Sequence, residues 1–330
     1  MPDDLPSSVV RTSSTTDLPL SIVMNVASGS GEPERRRREM QEILTAAGRK
    51  HEFFLVRDPR QVHQVAHRAA EHAVKESGAV VAAGGDGTIN AVAQATLPTG
   101  RPFGIVPLGT FNYSGRAHAI PLDHAGATRA LLTAKLEPMQ VGMVNGRVFL
   151  VNASLGLYPQ LLQDREAAKK QFGRYRGVAM LSALGTVLRG NGQLTLELEH
   201  ESGREIVRTP SLFVGNNALQ LEQAGLPEAE EVRQRRKLAG VIVNTSGVRG
   251  LLSLMLHGAR GKLGEAQEVR DFAFETLTVR PAMRGVRKLK VALDGEIHWM
   301  RPPVAFSVAP EPLQLLSPKP RVSARRAEAG

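Results

Sequence analysis

From residue 20 to about 138, short apolar runs alternate with longer stretches whose apolar residues recur every three to four positions. Ser21–Val26, His51–Val56, Ala79–Ala83 and Pro102–Val106 are too short for helices and read as strands. Between them, Glu34–Ala47 places Met40, Ile43, Leu44 and Ala47 on one face, with Pro33 before it and Gly48 after it. Gln61–Lys75 and the stretch to Leu97 (Ile89, Val92, Ala93, Thr96) have the same period, and another helix is expected after Asn112. Strand–helix alternation predicts a parallel sheet, with its ligand-binding loops at the carboxyl ends of the strands. Loops 25–30, 84–90 and 107–112 then open on one edge.

Near Pro138 the pattern changes. Met139–Val144 and Arg147–Ala153 flank Asn145-Gly146, a strand–turn–strand pattern. Further strands are expected at 194–200, 204–208, 211–215, 237–243, 268–280, 286–293 and 296–300, with apolar helices near 174–189 and 246–263. The expected organisation is a lead-in (1–18), an α/β domain (19–138), a mostly antiparallel β domain (139–300), strands at 304–308 and 313–316 that return to the first domain, and a basic tail from 317. The 246–263 helix is basic and amphipathic; it reads as core or as a helix lying on a bilayer.

Candidate chemistry begins at Gly84-Gly85-Asp86-Gly87-Thr88-Ile89-Asn90. Glycines at a helix start let an anion approach unpaired backbone N–H groups and the positive end of the helix dipole. Asp86 would repel a phosphate there, so a Mg²⁺ ion or a substrate hydroxyl beside it explains the carboxylate. The plain alternative is a glycine turn closing a strand–helix unit. His63 and His67 are four apart but lack an acidic companion, so they read as surface histidines. Arg35–Arg38 read as a solvated face.

Lys and Arg exceed Asp and Glu by 42 − 32 = 10 in 330 residues, which favours anionic partners. Only 4% of residues are aromatic, and there is no zinc-finger or RNA-binding pattern, so a membrane surface fits the charge better than nucleic acid. With no cysteine, no apolar leader and no run of about 18 apolar residues, the expectation is a cytoplasmic protein that touches the inner membrane face peripherally.

These residues resemble a known family. Gly84–Asn90 is similar to the glycine-rich motif of the diacylglycerol kinase catalytic domain family, which includes sphingosine kinases and bacterial lipid kinases. Asn25–Gly29 resembles its Asn-Pro-x-Ser-Gly loop, Pro107–Asn112 its Gly-Thr-x-Asn loop, and Asp294-Gly295-Glu296 its late Asp-Gly-Glu. The resemblance implies a three-layer α/β nucleotide domain beside a β-sandwich, with the site between them. It implies an ATP site at Asn25, Ser28, Gly29, Gly84, Gly85, Asp86, Gly87, Thr88, Ile89, Asn90, Gly109, Thr110 and Asn112. It further implies Glu296 as proton acceptor, Asp86 as the acid that organises Mg²⁺ and substrate, and a diacylglycerol- or sphingoid-type lipid as acceptor. Two departures stand out. The family's Asp-Gly-x-Leu metal stretch corresponds here to the basic 233–238, and a Thr is missing near Val56-Arg57. A kinase acting on NAD and a non-catalytic lipid- or nucleotide-binding protein are the alternatives.

Overall fold

In a computed structural model of the chain, residues 17–26, 32–156, 193–244 and 266–318 are described, apart from 224, 227, 230, 231, 233–235, 267 and 284. The expected helices at 174–189 and 246–263 lie outside the described residues, as do Ser28 and Gly29.

The first sheet begins with β1 (Leu20–Asn25), β2 (His51–Val56), β3 (Ala79–Gly84) and β4 (Phe103–Pro107), all parallel. It is completed by β5 (Lys135–Met139) and the last strand, β18 (Leu313–Ser317), in the order β2-β1-β3-β4-β18-β5. Helix α1 (Pro33–Ala46) packs with α5 (His124–Leu132), and α2 (Val62–Lys75) with α3 (Asp86–Thr96). All six residues of β3 are buried, as a strand covered by helices on both faces must be. This is the three-layer α/β arrangement. Its core includes Ile22, Met40, Val81, Ile89 and Ile105.

The second lobe is a pair of antiparallel sheets. One runs β10 (Gly203–Thr209), β9 (Leu194–His200), β14 (Thr276–Pro281), β17 (Val304–Val308), β6 (Gly142–Val144), β7 (Arg147–Phe149). The other runs β13 (Val269–Phe274), β12 (Leu238–Val243), β11 (Ser211–Gly215), β8 (Asn152–Gly156), β15 (Leu289–Leu293), β16 (Glu296–Met300). Phe149, Leu198, Val279 and Phe306 from one sheet meet Leu155, Val214, Ile242 and Val291 from the other in a single core, which makes a sandwich.

Several expectations change in detail. The single strand expected at 268–280 is two strands in different sheets, with the corner held where Glu275 and Thr276 donate their N–H groups to the Glu201 carboxylate. The strand expected at 139–144 is divided between lobes, β5 ending at Met139 and β6 starting at Gly142. Strand β17 stays in the sandwich rather than returning to the first sheet, because it pairs with β14 and β6. The helix expected after Asn112 is the five-residue α4 (Tyr113–Ala117), before α5 begins at His124. Arg36 is buried within α1, unlike the solvated neighbours Arg35 and Arg37, which pair with Glu39 and Glu34.

Candidate functional site

The site is built where β1, β3 and β4 end. Helix α3 starts at Gly85 with no side chain capping it, so its first-turn N–H groups are open to an anion. A Cβ on Gly109 would lie 2.7 Å from the Cα of Gly85, so the two glycine turns can be this close only without side chains. The Leu108 N–H donates to the Gly84 carbonyl at 2.8 Å and joins the turns. The Asn25 amide donates to Thr88 Oγ1 at 3.0 Å, which ties the end of β1 to α3. Thr110 stands exposed beyond this cradle.

Three of the residues expected to hold a nucleotide are committed elsewhere. Ile89 is fully buried in the core, and its N–H donates to the Gly85 carbonyl at 3.0 Å. Asn112, at φ 52°, accepts from the Gly109 N–H at 3.0 Å and donates back to the Gly109 carbonyl at 2.9 Å, closing its own loop. Asn90 reaches across to the second lobe, as described below. The side chains of all three are engaged within the fold. Each came from a contiguous motif, and alternate positions of a helix start point in different directions.

Asp86 accepts from the Asn112 N–H at 3.0 Å through Oδ2, while Oδ1 is buried with no hydrogen-bond partner among the described residues. Burial pushes its carboxyl above the ordinary aspartate range, against the opposing pull of the N–H groups of Ser114, Asn112 and Tyr113. An orphaned, partly desolvated carboxylate oxygen beside open N–H groups fits a divalent cation or a substrate hydroxyl. No group of three or more His, Asp or Glu suited to a metal occurs among the described residues, so a cation here would take its other ligands from water and phosphate.

Glu296 opens β16 directly after the hairpin turn. Asp294 and Gly295 both have positive φ (45° and 90°), as a two-residue hairpin turn requires. The turn brings Glu296 over the start of α3: its Oε1 is 2.8 Å from where a Cβ on Gly87 would stand. The sequence-separated Asp86-Gly87 and Glu296 are therefore neighbours. Beside them an open groove of about 410 Å³ is lined by His63, His67, Asn90, Arg147, Glu296 and His298, among others. His63 and His67 are exposed, and His298 is held below the usual histidine value, by burial first and then by Arg147.

Sequence reasoning missed the residue that holds this geometry. Asp294 is a half-buried turn residue whose carboxylate accepts four hydrogen bonds: from Asn90 Nδ2 at 2.7 Å and from the N–H groups of Leu150 (2.7 Å), Val151 (2.9 Å) and Asn152 (3.0 Å). Burial pushes its carboxyl up, and those donors pull it back down. Asn90 also donates to the Val148 carbonyl at 3.0 Å. One turn along the same face of α3, Gln94 accepts from the Val148 N–H at 2.7 Å. The sequence shows Asp294 as an ordinary turn residue and as part of the Asp-Gly-Glu motif, but no local pattern names the partners of its carboxylate. In the basic stretch that departs from the family pattern, Arg236 donates to the carbonyls of Ala309 (3.3 Å) and Pro310 (2.6 Å), joining the loop before β12 to the β17–β18 connection.

Comparison with known proteins supports the resemblance. The sequence model of the diacylglycerol kinase catalytic domain matches residues 19–144. Over 126 residues the chain is 36% identical to a diacylglycerol kinase of Bacillus subtilis, covering 36% of this chain and 42% of that protein. Over 113 residues it is 45% identical to a Pseudomonas aeruginosa protein named "Probable lipid kinase YegS-like", covering 33% of this chain and 37% of that one. The matched stretch thus spans less than half of either relative. The crystal structure of a diacylglycerol kinase from Bacillus anthracis shares the fold, with a TM-score of 0.67 over 92% of this chain and 97% of that one at 16% identity. Residues 19–144 of the chain are thus similar to the diacylglycerol kinase catalytic domain, and the fold of the whole chain is that of the solved neighbour.

Proposed function

We propose that the chain is an ATP-dependent lipid kinase that transfers the γ-phosphate to the hydroxyl of a diacylglycerol- or sphingoid-type lipid, working in the cytoplasm at an anionic membrane surface. The family match supports kinase chemistry. The observation that carries the reading for this chain is the Glu296 carboxylate standing against Gly87 at the open start of α3.

Phosphoryl transfer needs positioning and charge neutralisation more than covalent chemistry. In this reading the N–H groups around Gly85, Gly87 and Gly109 hold the phosphates, with Asn25 and Thr110 at the rim and the buried Thr88 behind them, bonded to Asn25. Glu296 accepts the proton of the lipid hydroxyl, the hydroxyl oxygen bonds to the γ-phosphorus, and the bridging oxygen leaves with ADP. Asp86 would hold Mg²⁺, which when bound would offset phosphate charge. Asp294 positions Glu296 by fixing the turn that precedes it.

Transfer of labelled phosphate from ATP into a total lipid extract tests the reading, with NAD as a parallel acceptor. The expected outcome is a labelled lipid, and loss of labelling in Glu296→Gln with unchanged thermal unfolding. Labelling of NAD alone would point to the other kinase class, and wild-type turnover in Glu296→Gln would remove the base assignment.

A further inference from the structure

Among the described residues eight large apolar side chains stand exposed, and Met283 (68%), Val286 (40%) and Trp299 (62%) are three of them. They share one end of the second lobe. The 282–288 connection carries the chain from β14 in one sheet to β15 in the other, across that end of the sandwich. Two residues later Lys290 lies opposite Trp299 in the β15–β16 register, its ammonium 5.2 Å from the ring centroid. Residues 282–293 contain four Lys or Arg and no Asp or Glu. Arg287 and Lys288 are exposed on the same connection.

Apolar tips set among cations, with an indole whose neighbour is an ammonium, match the chemistry of the lipid headgroup layer. A nucleic acid would use the cations but leave Met283 and Val286 without a role. A second copy of the chain would bring like charges together. We propose that this end of the second lobe docks on an anionic bilayer, with Met283, Val286 and Trp299 entering the headgroup layer and Arg287, Lys288 and Lys290 facing its phosphates.

The purpose of the surface rests on the lipid-kinase reading, although its geometry does not. Trp299 lies three residues from Glu296 on β16, about 10 Å along a strand.

Trp299 is the sole tryptophan, so the intact wild-type protein reports on its own docking. Vesicles of mixed phosphatidylglycerol and phosphatidylcholine should shift its emission to the blue, and brominated acyl chains should quench it. Phosphatidylcholine vesicles should do neither. Lys290→Glu and Arg287→Glu should each weaken vesicle binding by at least about fivefold, and Met283→Ser with Val286→Ser should abolish the shift. Co-sedimentation with anionic vesicles while Trp299 emission stays unchanged would overturn the proposal. So would a shift that follows protein concentration without vesicles, or one that appears only with nucleic acid. On lipid dispersed in detergent micelles these variants should phosphorylate at the wild-type rate. A protein quenched by brominated vesicles yet inactive on every lipid would keep the surface and lose the kinase reading. The reverse result would remove the surface alone.

Discussion

At residue scale the site turns on two short distances, and each can be perturbed separately. An alanine at 87 would put a methyl carbon 2.8 Å from Glu296 Oε1, closer than such atoms approach, so the flexible carboxylate must move. Misplacing a reacting group by about 1 Å costs on the order of 100-fold in rate. Gly87 is the second residue of α3, a helical position that alanine adopts as readily as glycine. Gly87→Ala should therefore lower kcat by roughly 10- to 100-fold while the melting temperature holds or rises, as kinetics and calorimetry can check. Asp86 gives a second separation. Its folded-state carboxyl is raised by burial, so the folded protein holds that proton to higher pH than the unfolded chain does. Stability is then lost as pH rises from the ordinary aspartate value through the folded one, and the loss is complete above it. Asp86→Asn removes that cost and should melt no lower than wild type at neutral pH, yet lose phosphotransfer.

At the scale of elements, α3 joins the lobes, and Asp294 is where the join is tightest. Asparagine at 294 would keep one acceptor oxygen but turn an NH₂ toward two of the four donors now satisfied there. Disrupting a buried, hydrogen-bonded charge costs about 3–5 kcal/mol. Asp294→Asn should therefore shift the denaturant midpoint down by an amount of that order and lower kcat, because the turn that aims Glu296 loosens. The same region shows what the sequence could disclose. His51–Val56 is a strand with the expected bounds, and the 84–90 turn and the Asp294-Gly295 hairpin were legible, because period and turn chemistry are local. Asn90 was legible as part of a motif but not by partner: its amide meets a carboxylate 204 positions away, and no local pattern encodes that. The split of 268–280 was hidden for a similar reason. Both halves have strand character, and only pairing with β12 or with β9 and β17 assigns them to different sheets.

For the whole molecule the decisive fact is the path of the last described strand. Residues 19–144 carry the family match, yet β18 lies within the first sheet, between β4 and β5. Leu313, Leu315 and Leu316 are buried in that core, and β18 pairs along its length with β5. Without β18, the β4 edge and the partner side of β5 would be left with unpaired backbone groups, an opening that isolated sheets tolerate poorly. A fragment of residues 17–144 should therefore not unfold cooperatively by circular dichroism, although it holds every residue of the glycine cradle. Supplying residues 309–318 as a peptide, or fusing them after 144 through a flexible linker, should restore a sigmoidal transition. A sharp transition in the bare fragment would show that the first lobe folds independently of β18. If β18 is required, the nucleotide cradle and the hairpin bearing Glu296 fold as one cooperative unit, because residues 145–308, which include that hairpin, lie in the chain between β5 and the strand that completes the same sheet.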